Sequence, residues 1–173
     1  MTSHFETARL SLRPVTRQDV DLLLELDRDP EVMRFLTGRP STRREVQQVV
    51  RERQGSQWVA FKKVTGAFVG WFGLIRDEDD GCDIGYRLAR RWWGQGLATE
   101  GMQALIAAAF ADGAQRVTAQ TMAVNRRSRS VMERCGMRYV RTYHLEWDDP
   151  LPGTEEGEVE YELTLDLWKR GRA

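Results

Sequence analysis

The sequence predicts an α/β fold, a mixed sheet with helices packed on it, and three observations point there. Strand-like and helix-like stretches alternate from residue 82 to residue 138, which implies crossover connections. Two apolar stretches, 57–64 and 67–75, flank Thr65-Gly66, a hairpin signal that implies an antiparallel half. The chain has 173 residues, 41% of them hydrophobic, which suits one domain over 1–173 with a proper core.

The elements follow in order. Arg9–Arg13 alternates apolar and polar residues as a strand does, and Pro14 ends it. Thr16 and Asp19 have capping-box spacing, so a helix should run to about Arg28 with Val20, Leu23, Leu24 and Leu26 on its apolar face. Asp29-Pro30 breaks it, and a short helical turn holds Val32 and Met33. Thr42 and Glu45 form a second capping box, opening a helix through Val46, Val49 and Val50. After the hairpin, Asp77–Gly81 is an acidic turn and 82–89 a strand. Gly94-Gln-Gly96 leads into a helix over 97–112, with Leu97, Met102, Leu105, Ile106, Ala109 and Phe110 inward. A strand at 115–122 and a helix at 126–135 follow, stopped by Gly136 in a left-handed conformation. Two last strands, 138–147 and 158–167, flank a loop containing Pro150, Pro152, Gly153 and Gly157.

Composition excludes several function classes. Twenty-six basic side chains balance twenty-six acidic ones, so no net field draws phosphate backbones or anionic lipid, and no nucleic-acid or membrane partner is expected. Two cysteines, Cys82 and Cys135, are too few for a disulfide framework, and with only His4 and His144 no metal cluster is visible. The start, Met1-Thr-Ser-His-Phe-Glu, lacks a basic flank and an apolar run, so no signal peptide is expected and a cytoplasmic protein is.

The chemistry sits in Ile84–Glu100. A strand, a glycine-rich turn and a helix start together make a phosphate cradle: the first helical N–H groups are unpaired, and glycines let the backbone approach the ligand. A Walker A lysine is absent, and Thr99 stands where the dinucleotide fingerprint needs its third glycine. What fits is R-x-x-G-x-G, Arg91-Trp-Trp-Gly94-Gln-Gly96. A second motif follows, Asn125-Arg-Arg-Ser128-Arg-Ser-Val131-Met132-Glu-Arg134-Cys-Gly136-Met137.

Together these motifs resemble the GNAT superfamily of N-acetyltransferases, and within it the RimJ/RimL-like branch that acetylates ribosomal-protein N-termini and many small amines. The resemblance extends over nearly the whole chain, from Thr7–Pro14 through Asp29–Met33 and Trp58–Leu74 to a closing strand running from Val159 through Trp168. It implies a splayed mixed sheet flanked by helices, acetyl-CoA as cosubstrate, no metal, and an amine acceptor that is a protein N-terminus or a small molecule. Family habit adds a homodimer.

It also implies roles. The backbone of Tyr86, Arg87 and Leu88 would pair with the pantetheine arm like an added strand. Arg91, Gly94, Gln95, Gly96, Leu97, Ala98 and Thr99 would wrap the pyrophosphate. Trp92 and Trp93 are either packing residues or a wall beside the cofactor. Asn125 is placed for an N-cap and, by resemblance, for the coenzyme A arm as well. Ser128 would protonate the departing thiolate, because Met132 stands where many relatives carry a tyrosine acid. Glu146, with His144 on the same strand face, is the candidate base if burial raises its carboxyl; Asp83 is a weaker one. Acidic loops at 77–83 and 148–158, if they flank the acceptor cleft, would favour a cationic amine. Cys135 is a buried helix-end residue with no base beside it, so direct transfer in a ternary complex is expected. The rivals are a coenzyme A-binding module without catalysis, and an enzyme for another acyl-CoA or an antibiotic-type amine.

Overall fold

The computed structural model describes residues 4–171; Met1 to Ser3, part of the stretch read above for a signal peptide, lie outside the described residues. The chain opens with β1 (Phe5–Glu6) and β2 (Leu10–Pro14), followed by α1 (Val20–Leu26), α2 (Pro30–Met33) and α3 (Arg43–Glu52). Next come β3 (Gln57–Lys62), β4 (Phe68–Arg76), β5 (Gly81–Leu88) and α4 (Leu97–Ala111). The remainder is β6 (Arg116–Met122), α5 (Arg126–Arg134), β7 (Arg138–Tyr143), β8 (Glu158–Thr164) and α6 (Leu165–Arg170). The strands form one sheet in the order β1-β2-β3-β4-β5-β6-β8-β7. Every neighbouring pair is antiparallel except β5 and β6, joined through the α4 crossover. This is the mixed α/β fold expected from the alternation of patterns.

Local chemistry explains most element ends. Asp19 accepts hydrogen bonds from the Thr16 backbone N–H at 2.8 Å and hydroxyl at 2.9 Å, so the first capping box forms. Thr42 and Glu45 form the second, and Asp29 caps α2 through the Glu31 N–H at 2.9 Å.

Two expectations need correction. The closing strand stops at Thr164, whose hydroxyl accepts from the Leu167 N–H at 3.4 Å and starts α6 instead. Helical spacing then lets Trp168 pack on Phe110 of α4, with ring centroids 5.1 Å apart. The strand drawn over 138–147 stops at Tyr143, where pairing with β8 ends.

One face of the sheet packs on α4 and α5. Phe72, Leu74, Ile84, Val117 and Ala119 meet Leu97, Met102, Leu105, Ile106 and Ala109 in the main core. Gly101 brings α4 closest: a Cβ there would lie 2.2 Å from the Phe72 ring. On the opposite face a smaller core joins Val20, Leu23, Val46 and Val50 to Val59. Towards β6, β8 and β7 that second face turns polar, with Thr118, Gln120, Glu160, Glu162 and Arg141 in register.

Candidate active site

β5 and β6 part company almost as soon as they meet. They pair through Gly81↔Arg116, Cys82↔Val117 and Asp83↔Thr118, and no further. On its other edge β5 stays paired with β4 up to Leu88↔Gly70, and β6 stays paired with β8 to Met122↔Glu158. The facing edges of Ile84–Leu88 and Ala119–Met122 therefore have no strand partner among the described residues. Peptide groups along such edges are suited to an extended ligand that completes the ladder. Tyr86, Arg87 and Leu88, which the resemblance assigns to the pantetheine arm, lie on this edge.

At the end of the opening stands the glycine turn. Gly94 and Gly96 have φ of +74° and +76°, a left-handed region that glycine enters without penalty. Gly96 precedes the first residue of α4, and the first bond back into the helix is Glu100 N–H to Gly96 C=O at 3.0 Å. The N–H groups of Leu97, Ala98 and Thr99 are thus free at the positive end of a fifteen-residue helix. A Cβ on Gly94 would meet nothing within 4 Å, so the turn faces open space. Arg91 is exposed beside it, with its guanidinium on the Phe68 carbonyl at 3.1 Å. This arrangement fits a pyrophosphate.

A clamp that the sequence reading missed holds the turn. Arg9 donates through Nη1 to the Gln95 carbonyl at 2.8 Å and through Nε to Glu100 at 2.6 Å. Glu100 also accepts from the Thr7 hydroxyl at 2.6 Å and the Arg9 backbone N–H at 2.7 Å. Burial alone would raise the Glu100 carboxyl, but these hydrogen bonds and the Arg9 charge outweigh it and hold it below the usual range. Gln95 closes on the Arg91 carbonyl through its amide at 2.9 Å. The two tryptophans are packing residues with anchored indoles: Trp92 donates to Phe68 C=O at 2.9 Å and Trp93 to Leu88 C=O at 2.8 Å. Arg127 lies over the Trp93 ring at 4.9 Å, adding a cation next to the turn.

Across the opening, Asn125 caps α5, its Oδ1 accepting from the Ser128 N–H at 3.3 Å and its Nδ2 donating to the Thr121 hydroxyl at 3.0 Å. Ser128 of α5 lies near enough to the Tyr86 phenol on β5 to act on its titration. Burial pushes that phenol up from its ordinary value, and the interaction with Ser128 partly offsets the rise. The motif points only to the Tyr86 backbone; strand parity, which puts its ring beside Phe72 on the α4 side, is the signal for the side chain. Met132 is core, 3% exposed. Cys135 is buried, and desolvation pushes its thiol up to about 12, so it stays protonated.

The expected base residues do not come together. Glu146 is exposed on the segment past the end of β7, so the burial meant to tune it is missing. His144 is exposed there too, its Nε2 3.2 Å from the Glu155 carbonyl. Asp83 is the last paired residue at the apex of the opening, and its side chain is exposed; the flanking strands nonetheless raise its carboxyl by desolvation, while Thr118 at 3.5 Å opposes weakly. The acidic turn 77–80 precedes β5 at the closed end of the sheet. There Asp77 caps the Gly81 N–H at 2.7 Å and pairs with Arg116 at 3.0 Å, so it does not flank the opening. Loop 148–157 does lead to the open end, since Gly157 C=O accepts from the Ala123 N–H at 2.8 Å. Among the described residues no group of acidic, histidine and cysteine side chains is arranged to hold a metal, and no helix is long and apolar enough to cross a membrane.

Comparison with known proteins agrees with this geometry. Residues 9–138 match the acetyltransferase (GNAT) domain family. The FsC-acetyl coenzyme A-N(2)-transacetylase of Aspergillus fumigatus is 37% identical, over 95% of this chain and 77% of that protein. A GNAT-family acetyltransferase from Bacillus anthracis superposes with a TM-score of 0.79 at 21% identity, over 93% of this chain and 98% of that one. The ribosomal L7/L12 alpha-N-protein acetyltransferase RimL, solved with coenzyme A, gives 0.77 at 19% identity, over 93% and 97%. With three quarters of its length inside the family match and its sheet splayed beside a glycine-capped helix, the chain belongs to the GNAT family and is an acetyl-CoA-dependent acyltransferase.

Proposed function

We propose that this enzyme transfers acetyl from acetyl-CoA directly to a primary amine, within a ternary complex, and that it belongs to the RimJ/RimL-like branch. The observation that carries the transfer reading is the three-residue pairing of β5 with β6, which leaves two strand edges open beside the free N–H groups of α4. The name of the Aspergillus fumigatus relative, an N(2)-transacetylase, supports nitrogen as the acceptor.

The residues divide the work as follows. The N–H groups of Leu97, Ala98 and Thr99, the turn Gly94-Gln95-Gly96 and the Arg91 guanidinium hold the pyrophosphate. The β5 edge at Tyr86–Leu88 pairs with the pantetheine arm, and a main-chain N–H there polarises the thioester carbonyl as charge develops on its oxygen. Asn125 fixes the start of α5 and borders the arm. The neutral amine attacks the carbonyl carbon, a C–N bond forms, and the C–S bond breaks. Ser128, with the Tyr86 phenol beside it, delivers the proton to the sulfur and regains one from the nitrogen, which loses a proton as the amide forms; burial keeps that phenol protonated at neutral pH.

Thiol release from acetyl-CoA, measured across cadaverine, spermidine and a short peptide with a free N-terminus, tests the reading. Amine-dependent release with one acetyl transferred per thiol is expected. Tight acetyl-CoA binding with no release in the presence of any amine would replace the transferase by a coenzyme A-binding module.

A further inference from the structure

On the face of the sheet away from α4 and α5, β8 starts with a carboxylate that no protein group among the described residues engages. Glu158 is only 8% exposed, and its side chain has no hydrogen bond and no ion pair among the described residues. Unlike the enclosed Gln57 Oε1, Trp58 Nε1 and Arg87 Nε, its oxygens still reach solvent, so a ligand arriving at the end of β8 has access to a carboxylate that no protein group engages. Its position names the ligand. Glu158 is in register with Met122, the last residue of β6, three positions before Asn125 and therefore at the mouth of the opening. It lies on the sheet face opposite the one that Tyr86 and α5 occupy, so it approaches the opening from the other side. That face is bare beside β5, where a Cβ on Gly85 would meet nothing within 4 Å.

We propose that Glu158 binds the acceptor as an ammonium ion and takes its proton. This rests on the amine-transferase reading above. An R–NH3+ group places its N–H donors on the carboxylate, gives up one proton to it, and attacks as R–NH2. The second proton lost from nitrogen as the amide forms balances the one the thiolate gains, and the proton on Glu158 returns to solvent. The acceptor class is a cationic primary amine, since an ammonium both hydrogen-bonds the carboxylate and compensates its charge, which a neutral donor does not.

The surroundings suit the role. From β6 the facing residue is Met122, uncharged; from β7 it is Tyr143, whose hydroxyl donates to Gln120. Along the same face of β8, Glu160 is held by Arg141 at 2.7 Å, and Glu162 lies further on. Asp83 stands across the opening on β5, and α6 with Asp166, Lys169 and Arg170 follows the far end of β8. Among the described residues no cation pairs with Glu158, and desolvation raises its carboxyl from its ordinary value, the direction that favours proton uptake.

The test compares wild type, Glu158→Gln, Glu158→Asp and Asp83→Asn, each with the amine that gives the fastest wild-type thiol release. Acetyl-CoA affinity is measured alongside as a check on folding. For Glu158→Gln, kcat/KM for the amine should fall on the order of 10²–10⁴-fold at neutral pH. It should recover as pH rises and solvent supplies neutral amine, with acetyl-CoA affinity unchanged. Glu158→Asp should retain part of the rate and the wild-type profile shape. An active wild type with an unaltered Glu158→Gln profile, or a loss confined to Asp83→Asn, would overturn the assignment alone. A wild type that acetylates no amine would overturn the transferase reading and this assignment together.

Discussion

Gly94 is the residue at which cofactor binding is most exposed to a single change. Its φ of +74° strains any side chain, and the open space a Cβ would enter is where the proposed reading seats the pyrophosphate. Gly94→Glu adds a carboxylate there. Acetyl-CoA affinity should fall on the order of 100-fold, about 2.7 kcal/mol, with little loss of fold. Ser128→Ala leaves the cap made by its N–H intact, so kcat should drop on the order of 10²-fold while acetyl-CoA binding holds. Rapid-quench turnover at wild-type rate would remove Ser128 from proton delivery. Cys135→Ala should stay within about threefold of wild-type turnover, because a thiol pushed up to about 12 carries no thiolate at neutral pH. These residues were legible because glycine, Asn-x-x-Ser and R-x-x-G-x-G are local patterns with local reasons. Glu158 was not: it sat in an acidic loop by sequence, and only burial by distant strands sets it apart from its neighbours Glu155 and Glu156.

At the scale of elements, α4 is positioned by two devices, one polar and one steric. The polar one is the Arg9–Glu100 clamp. Because the folded Glu100 carboxyl lies below its ordinary 4.5, its contribution is present above that value and fades as pH falls through the lowered one. Asp19, lowered by Arg13 and Thr16 against the cost of its burial, behaves alike. Thermal stability should therefore decline below about pH 4.5, and less steeply in Glu100→Gln; parallel acid slopes for mutant and wild type would exclude the clamp as a source. The steric device is Gly101 against Phe72. Gly101→Ala forces that ring to move and should cost about 1–3 kcal/mol, read as a lower Tm. The strands, the capping boxes and α4 were readable from period and caps. The last strand was drawn too long because Leu165 and Leu167 continue an alternating pattern while Thr164, a capping residue, ends it. The clamp was unreadable because its partners lie 91 residues apart.

Across the whole molecule, function comes from a sheet that fails to close. The α4 crossover makes β5 and β6 parallel neighbours, and the antiparallel pairings outside them hold each strand in place while the two diverge. In the proposed reading, cofactor groups enter from the side of α4 and α5, and the opposite face, polar from β6 to β7, is left for the acceptor. Periodicity foretold a mixed sheet; the splay came only with the family resemblance, since no residue pattern records where two strands stop pairing. The direct measurement is calorimetric titration of wild type and Gly94→Glu with acetyl-CoA, with ATP and NAD as controls. Saturable binding of acetyl-CoA to the wild type alone, with neither control bound, is the result expected. Equal binding by the mutant, or none by well-folded wild type, would contradict a cosubstrate seated at the Gly94–Thr99 turn.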